Sequence, residues 1–361
     1  MTLLLDNHEL ASLISPAEFV NALDKAYRAF AHGAGICPPR IDVQSGAAGI
    51  DGNYQLGLAV GMSGDYAALR IKSDVVFQQL VEGRSRKNKY CVEPGTYMGL
   101  ILLFDRSNGA LLAIMHDGLL QKMRVGADSA LGVRYMARED ASALGILGAG
   151  GMARAHVAAI ATVRPISHVK VYSPTQTNRE AFAREIVDTY ELDACAVDDP
   201  KAVFAEADIV SSCASAIGPV IFGRDLEPGM HLTCIGGTLD SKASARVDIA
   251  LRFGLAPAPA EAPEFRIEDE CLTFAEAGVK ASHGGTRRYA DVPPERRISF
   301  ADLLAGPSRG RTAPEQITFS ERGNIHGVQF SAVAGLLYER AQAAQVGRHL
   351  PSEMFLQSVR N

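Results

Sequence analysis

Residues 144–156 read Leu-Gly-Ile-Leu-Gly-Ala-Gly-Gly-Met-Ala-Arg-Ala-His, joining a short apolar run to Gly148-x-Gly150-x-x-Ala153 and then to a helix-forming sequence. Gly148 permits a tight turn, Gly150 lets the backbone approach a pyrophosphate, and Ala153 lets the helix pack closely on the strand. An ordinary turn between a strand and a helix is the alternative. The pattern predicts a dinucleotide-binding unit with the phosphates at the positive end of the helix. The predicted cofactor contacts are Gly148, Ala149, Gly150, Gly151, Met152 and Ala153.

Short apolar segments alternate with helical ones over the next hundred residues. This alternation is typical of a doubly wound parallel sheet, so we expect an α/β unit of the Rossmann type. The predicted strands are 143–147, 168–172, 194–197, 208–212 and 231–235, and the predicted helices are 150–162, 177–190 and 200–206.

The sequence before this unit has a different pattern. Ser15-Pro16-Ala17-Glu18 predicts a capped helix start, and apolar residues then recur on one face until Gly33. Residues 54–76 and 97–115 are rich in strand formers, and Asn108-Gly109 supplies a hairpin turn. We therefore predict an α+β unit, joined to the nucleotide unit by a helix over 123–136. The helix predicted over 330–345 returns to this first unit, whereas 256–315 yields only a short helix near 300–304.

Composition excludes several classes of protein. The 361 residues have a net charge of -5 with dispersed basic residues, which argues against nucleic acid or an anionic membrane as partner. No apolar run reaches the length of a membrane span and no signal-peptide core follows the N-terminus, so we expect a cytoplasmic protein acting on a small molecule. The six cysteines lie far apart without ligand spacing, which predicts reduced thiols and no metal site.

The histidines are not spaced as metal ligands either. This holds for His116, His156 and His326. We expect His156, on the nucleotide helix, to have a packing or capping role.

The second predicted strand of the nucleotide unit bears on the choice of cofactor. NAD sites usually place Asp or Glu at its end to hold the ribose hydroxyls, but here Tyr172 is followed by hydroxyl and amide side chains and one arginine. These groups suit a 2′-phosphate, whereas a carboxylate would repel it. NADP(H) is therefore preferred over NAD(H); the alternative is that Thr177 merely caps the next helix. The candidate contacts are Ser173, Thr175, Asn178 and Arg179.

Three stretches read Leu-Phe-Asp-Arg-Ser-Asn-Gly-Ala-Leu-Leu-Ala (103–113), Lys-Met-Arg-Val-Gly-Ala-Asp-Ser-Ala (122–130) and Gly-Ala-Gly-Gly-Met-Ala-Arg-Ala-His (148–156). Together they resemble the ornithine cyclodeaminase/mu-crystallin family. The resemblance implies a homodimer whose split first domain carries substrate and dimer contacts and whose middle domain binds NAD(H) or NADP(H). We accordingly assign 1–128 plus 319–361 to a substrate and dimerisation domain and 129–318 to the dinucleotide domain, and add Ser129 to the cofactor contacts.

The resemblance also places three cations at the substrate: Arg40, Lys72 and Arg124. An arginine holds a carboxylate through two parallel hydrogen bonds, while a lysine adds a transferable proton near the reacting nitrogen. Thr96 matches a further family position near the substrate. Without the resemblance, the arginines read equally as surface ion-pair residues and Lys72 as a lysine reaching outward from an apolar strand.

One departure from the family pattern bears on the reaction. Cyclodeaminases carry Gly-Ala-Asp upstream of a lysine, whereas this chain has Gly236-Gly237-Thr238 upstream of Lys242. Thr238 resembles the Gly-Ala-Ser of mu-crystallin, a ketimine reductase, and threonine is no carboxylate base at neutral pH. Asp240, two residues on, is the candidate substitute for that base.

The segment 81–97 is basic, with Arg84, Arg86, Lys87 and Lys89 before Tyr97. A segment of this kind is either a solvated loop or a lid over the substrate.

The sequence thus favours an NAD(P)H-dependent reductase of imines of 2-oxo acids. Two alternatives remain open: cyclodeamination of ornithine or lysine with bound NAD+, and a non-catalytic protein that binds a small ligand and a nucleotide.

Overall fold

The computed structural model describes residues 1–81, 84–216, 218–268, 271–279, 291–306, 310–321 and 325–359. The helices in these ranges are α1 (Asn7–Ser12), α2 (Pro16–Ala31), α3 (Gly118–Met136), α4 (Gly151–Ile160), α5 (Gln176–Tyr190), α6 (Ser241–Arg246), α7 (Phe300–Ala305) and α8 (His326–Ala344). The strands up to α3 are β1 (Thr2–Leu5), β2 (Arg40–Gly46), β3 (Asn53–Ser63), β4 (Tyr66–Val81), β5 (Arg84–Cys91), β6 (Glu93–Pro94), β7 (Met98–Asp105) and β8 (Leu111–His116). Those after it are β9 (Ala143–Leu147), β10 (His168–Tyr172), β11 (Asp193–Ala196), β12 (Ile209–Cys213), β13 (Pro219–Ile221), β14 (His231–Gly236), β15 (Thr238–Leu239), β16 (Ile249–Arg252), β17 (Arg266–Glu268), β18 (Cys271–Ala275), β19 (Arg297–Ser299), β20 (Thr318–Glu321) and β21 (Arg348–Leu350).

The strands after α3 form the predicted doubly wound sheet. Its order is β11-β10-β9-β12-β14-β20-β16-β19, and each described pairing in it is parallel. The glycine loop follows β9, where strand order reverses between β10 and β12; ligands of such sheets bind at this switch point. The α/β fold class is therefore confirmed. The predicted helix over 200–206 is only a short 3-10 turn, Pro200–Val203.

The other large sheet has the order β17-β18-β2-β3-β4-β7-β8-β1-β21. Neighbouring strands from β2 to β8 pair antiparallel. The hairpin between β7 and β8 turns at Asn108-Gly109 as predicted, with Gly109 at φ +79°. Ser15 caps α2 with the reciprocal Glu18 bond, also as predicted. One continuous apolar core is shared by this first sheet and the doubly wound sheet. Helices α2, α3 and α8 contribute buried side chains to it.

The division of the chain into two domains stays a prediction, and two segments depart from it. Strands β17 and β18 lie in the range assigned to the dinucleotide domain, but β18 pairs with β2 in the first sheet. Strand β20 crosses the assigned boundary at 318/319 and belongs to the doubly wound sheet. The chain therefore crosses between the units more often than its apolar pattern indicates. Residues 280–290, within the segment that we could not assign, lie outside the described residues.

Helix α3 joins the two units and begins five residues before the predicted start at Met123. It packs tightly on α4: a Cβ atom at Gly126 would lie 2.3 Å from the carbonyl oxygen of Ala155. This close approach holds the first turns of α3 next to the glycine loop that begins α4.

The basic segment 81–97 is largely a strand: β5 extends the β4 hairpin away from the main sheet. The side chains of Arg84, Arg86 and Lys87 lie outside the described residues, whereas that of Lys89 is described. Within the described ranges, no helix has both the length and the apolar character needed to cross a membrane.

Candidate active site

One face of the first sheet carries a row of charged side chains set between glycines. Pairing aligns Asp42, Gly57, Lys72 and Gly99 across β2, β3, β4 and β7, and Asp117 follows β8 opposite Gly99. A Cβ atom at Gly57 would lie 3.0 Å from Asp42 Oδ1, and one at Gly99 only 2.0 Å from Asp117 Oδ1. The two glycines thus leave room for buried carboxylates on either side of Lys72.

Lys72 is nearly buried, with 11% of its side chain exposed. Its Nζ lies 2.8 Å from Asp74 Oδ1 and donates to Gln55 Oε1 at 3.4 Å. Burial, with repulsion from Lys89, lowers the pKa of Lys72 to about 8, although Asp74 opposes the shift. Lys72 is therefore charged at neutral pH and releases its proton more readily than an ordinary lysine, as an acid catalyst requires.

Gln55 and Asp74 complete the surroundings of Lys72. Both side chains are buried, and Asp74 Oδ2 lies 3.3 Å from Lys89 Nζ. The Gln55 amide nitrogen is buried and has no hydrogen-bond partner among the described residues. Leaving a buried donor in this state is costly, so the Gln55 amide marks a place where a substrate oxygen can accept a hydrogen bond.

Arg40 lies at the start of β2, on the same face as Lys72. Its Nε donates to Asp42 Oδ1 at 2.8 Å, and a second guanidinium nitrogen contacts Asp42 Oδ2. The ion pair fixes the plane of the guanidinium at the edge of the site.

Arg124 reaches the site from α3. It is buried, donates from Nη1 to Gln329 Oε1 at 3.0 Å and to Gln121 Oε1 at 3.0 and 3.2 Å, and lies over the ring of Phe330. Gln329 in turn donates to Tyr27, whose hydroxyl donates to Asp128. This buried chain of hydrogen bonds ties the position of Arg124 to α2 and α8.

Arg70 is a cation that the sequence analysis missed. It lies two residues before Lys72 on β4, donates from Nε to Asp117 Oδ2 at 2.6 Å, and stacks on the ring of Phe330, as Arg124 does. The alternation of β4 puts Arg70, Lys72 and Asp74 on one face. That alternation was the available signal.

Tyr97, rather than Thr96, is the side chain of its segment that faces the charged row. The Thr96 hydroxyl donates to the carbonyls of Cys91 and Glu93 and so closes a turn. Burial and Asp117 raise the pKa of Tyr97, while Arg70 and Arg124 oppose that shift. Lys89 Nζ lies 4.2 Å from the centre of its ring.

The glycine loop has the geometry of an anion site. Gly148, at φ +122°, has no room for a side chain, since a Cβ would lie 2.8 Å from the Cys213 carbonyl oxygen. Gly150, the N-cap of α4, has an ordinary φ of -93°, and nothing lies within 4 Å of its Cβ position. The fold does not itself require glycine there. The open space at the positive end of α4 fits a pyrophosphate.

Lys122 adds a positive charge at this helix end. Its Nζ lies 3.8 Å from the position that a Cβ of Gly151 would take. The sequence alone indicated no role for Lys122. Among the other predicted contacts, Ala153 is fully buried against the strand, and Ala149 and Met152 lie in the same loop and first turn.

Ser129 and His156 link α3 to α4. The two side chains are buried and hydrogen-bonded at 2.9 Å, and His156 Nδ1 lies 2.7 Å from the Met152 carbonyl oxygen. His156 therefore has the packing role that we expected, and the Ser129 hydroxyl is engaged in the same contact.

Arg179, expected to contact a 2′-phosphate, makes contacts within the loop that follows β10. The buried guanidinium donates to the carbonyls of Ser173 and Pro174 at 3.1 and 3.4 Å and pairs with Asp198, which is 91% exposed. Arg179 thus shapes the loop after Tyr172 as well as supplying charge.

The N-cap of the following helix is Thr175 rather than Thr177, and its side chain makes no capping bond. Asn178 lies in the first turn of that helix, where its backbone N–H donates to the Thr175 carbonyl.

Asp240 is the N-cap of α6. One of its carboxylate oxygens accepts from the backbone N–H groups of Ala243 and Gly223 at 2.7 and 2.9 Å. These bonds commit the carboxylate to the backbone, so the structure gives Asp240 a capping role and we do not retain it as the substitute base. Thr238 lies in β15, which pairs with β13.

Comparison with known proteins gives a consistent result. The model of the ornithine cyclodeaminase/mu-crystallin family matches residues 1–345. The chain is 31% identical over 236 residues to the Delta(1)-pyrroline-2-carboxylate reductase of Paracoccus denitrificans. The aligned region covers 64% of this chain and 70% of the relative. It is 29% identical over 256 residues to an uncharacterized cyclodeaminase of Sinorhizobium fredii, covering 69% and 72%. The structure of Thermococcus litoralis Delta(1)-pyrroline-2-carboxylate reductase, in complex with NADH and L-proline, superposes with a TM-score of 0.72 at 23% identity over 97% of this chain and 100% of that one.

Proposed function

The chain belongs to the ornithine cyclodeaminase/mu-crystallin family and is an NAD(P)-dependent oxidoreductase acting on carbon–nitrogen bonds; within this class we propose that it reduces cyclic or acyclic imines of 2-oxo acids to amino acids. The observation that carries the proposal is Lys72: a nearly buried ammonium with a pKa of about 8, on a sheet face rich in arginine. An imine carbon that gains a hydride leaves a nitrogen that needs a proton, and Lys72 can supply it.

Arg40 and Arg124 are the proposed partners of the substrate carboxylate. Arg40 approaches from β2 and is oriented by Asp42. Arg124 approaches from α3 and is oriented by Gln329. Fixed guanidinium groups hold a carboxylate with defined geometry, and so present the neighbouring imine carbon in one orientation. Lys72 lies in the sheet row on the same face as Arg40, where it would face the imine nitrogen.

A nicotinamide cofactor fits the glycine loop. Its pyrophosphate would lie against the first backbone N–H groups of α4, beside Gly150 and Lys122. When bound, the nicotinamide supplies the hydride. We further propose that NADP(H) is preferred over NAD(H), since residues 173–179, directly after Tyr172, include no Asp or Glu and the buried Arg179 brings a positive charge to that loop.

Cyclodeamination of ornithine or lysine is less well supported. It requires a base for the substrate amine and the attacking water, and Thr238 offers no carboxylate. The Asp240 carboxylate is held by two backbone N–H groups.

The first sheet supports a homodimer. The face opposite the charged row presents apolar side chains that are well exposed: Val43 40%, Val60 38%, Met98 51% and Phe274 39%. A continuous apolar sheet face of this kind is typical of a surface that a second copy covers. The six free cysteines agree with a reducing, cytoplasmic setting, which we also propose.

Turnover tests the function directly. The purified protein should oxidise NADPH when given pyrroline-2-carboxylate or piperideine-2-carboxylate, and it should release no ammonia from ornithine or lysine. Ammonia release without net change in the cofactor would overturn the reductase assignment, and its loss in Asp240→Asn would identify the base. Nucleotide binding with neither activity would instead indicate a non-catalytic binding protein.

A further inference from the structure

We propose that Lys89 is a positioning residue for the reaction: from strand β5 it shares the buried carboxylate of Asp74 with Lys72, and so prevents Lys72 from being locked in an exclusive ion pair. The inference rests on the proposed function, in which Lys72 gives its proton to the substrate. It assigns a role to the hairpin that extends β4 beyond the main sheet.

The geometry places two ammonium groups on one carboxylate. Asp74 Oδ1 lies 2.8 Å from Lys72 Nζ, and Oδ2 lies 3.3 Å from Lys89 Nζ. Asp74 is buried and Lys72 nearly so, which leaves little water to screen their contact, whereas the side chain of Lys89 is 35% exposed and its contact is screened more. One negative charge cannot neutralise both lysines, and the pair keeps an excess of positive charge.

The hairpin holds Lys89 in this place. Strand pairing sets Lys89 opposite Val76, two residues beyond Asp74 on the same face, which is within the reach of a long side chain across strands. The ammonium also lies 4.2 Å from the centre of the Tyr97 ring, a favourable contact for a cation. Lys89 is therefore fixed from two sides.

The electrostatic consequence falls on Lys72. Apart from burial, Lys89 is the strongest influence lowering the Lys72 pKa to about 8, and Asp74 acts against it. Removing the Lys89 charge would end the repulsion and leave Asp74 to Lys72 alone, and both changes raise the Lys72 pKa. The charged and titratable groups around this face are Arg70 and Asp74 on β4, Arg40 and Asp42 on β2, Lys89 on β5, Tyr97 before β7, Asp117 after β8 and Arg124 on α3.

The test is the pH profile of kcat/KM for imine reduction, from about pH 6 to 10 at saturating NADPH. Lys89→Met keeps the aliphatic stem over Tyr97 and removes the charge; it should move the alkaline limb up by about one pH unit. Lys89→Arg keeps the charge and should leave the limb near its wild-type position. Lys25→Met, at an exposed site on α2, is the matched control and should change nothing. Any titration of the substrate itself is common to all variants.

The outcomes separate this inference from the proposed function. If Lys72→Met abolishes turnover but Lys89→Met leaves the limb in place, or lowers activity equally at every pH, the role of Lys89 is wrong and the reductase stands. If Lys72→Met leaves turnover intact, the proposed role of Lys72 fails and the inference fails with it. Lys89→Gln, measured beside Lys89→Met, guards against a misfolded variant.

Discussion

Lys72 lies on the charged face of the first sheet and has a lowered pKa, and these two properties suit it to act as a proton donor. Because its pKa is about 8, the protonated fraction falls as the pH rises through 8, and kcat/KM for imine reduction should fall with it. Lys72→Met should lower turnover by about 10²- to 10⁴-fold while sparing cofactor affinity. Lys72→Arg is the sharper comparison: arginine keeps the charge but does not release a proton near neutral pH, so KM should recover more than kcat. Steady-state kinetics with both variants checks this, and an Arg variant with full kcat would contradict a proton-donor role.

The cofactor preference depends on the charge of Arg179, which Asp198 partly offsets. Asp198→Asn should strengthen NADPH binding relative to NADH by up to about fivefold, since a pair whose carboxylate is exposed to solvent is worth roughly 0.2–1 kcal/mol. Arg179→Ala should weaken NADPH selectively. Calorimetric dissociation constants for both cofactors check the prediction. Equal weakening of the two by Arg179→Ala would mean that Arg179 only shapes the loop, and tighter NADH binding by the wild type would contradict the preference itself.

Residue identity predicted only part of this site. Family motifs indicated Arg40, Lys72 and Arg124, and the structure brings all three to the charged face or to the ring of Phe330 beside it. Arg70 and Tyr97 were not foreseen: whether a charged side chain on a strand such as β4 faces a site depends on which face of the sheet is covered, and Tyr97 lies in the turn before β7, which has no strand pattern. The covered face is determined by helices that are distant in sequence.

At the scale of elements, the glycine loop was the most predictable feature. Strand β9 and the start of α4 follow from local requirements: a residue able to adopt φ +122° at Gly148 and a small residue at Ala153. Strand β5, within the basic segment 81–97, was read as a loop or lid, because its basic residues hide the strand pattern.

Gly150→Val tests what the loop binds. The backbone at Gly150 suits any residue and the Cβ direction is empty, so the variant should fold, with only a small loss of stability because valine is a weaker N-cap than glycine. Its side chain would occupy the proposed pyrophosphate space, and cofactor affinity should fall about 10- to 100-fold, the loss of roughly 1.5–3 kcal/mol of charge-assisted bonding. A cofactor fluorescence titration measures this, with Gly46→Val at an exposed strand position as control. Unchanged affinity would show that the loop is only a turn.

At the scale of the whole molecule, the parallel, doubly wound character of the second sheet was predictable and the path of the chain between the two sheets was not. The alternation of apolar strands and helices specifies a parallel sheet. The pairing of β18 with β2 joins residues more than two hundred positions apart, through contacts such as Cys271 opposite Arg40. Strand β18 has only five residues, too few to give a periodic signal for such a pairing. It nonetheless closes the edge of the sheet that carries the site.

The same sheet turns its other face outward, and this predicts how the molecule assembles. Val60→Glu should convert a dimer into a monomer, because a glutamate in the centre of an apolar interface would be buried without a partner, at a cost of several kcal/mol. Val187→Glu, on α5 of the other unit and 44% exposed, is the matched control and should remain dimeric. Sedimentation velocity at micromolar concentration distinguishes the two. A wild type that sediments as a monomer, or a Val60→Glu variant that stays dimeric, would show that this face is not the interface.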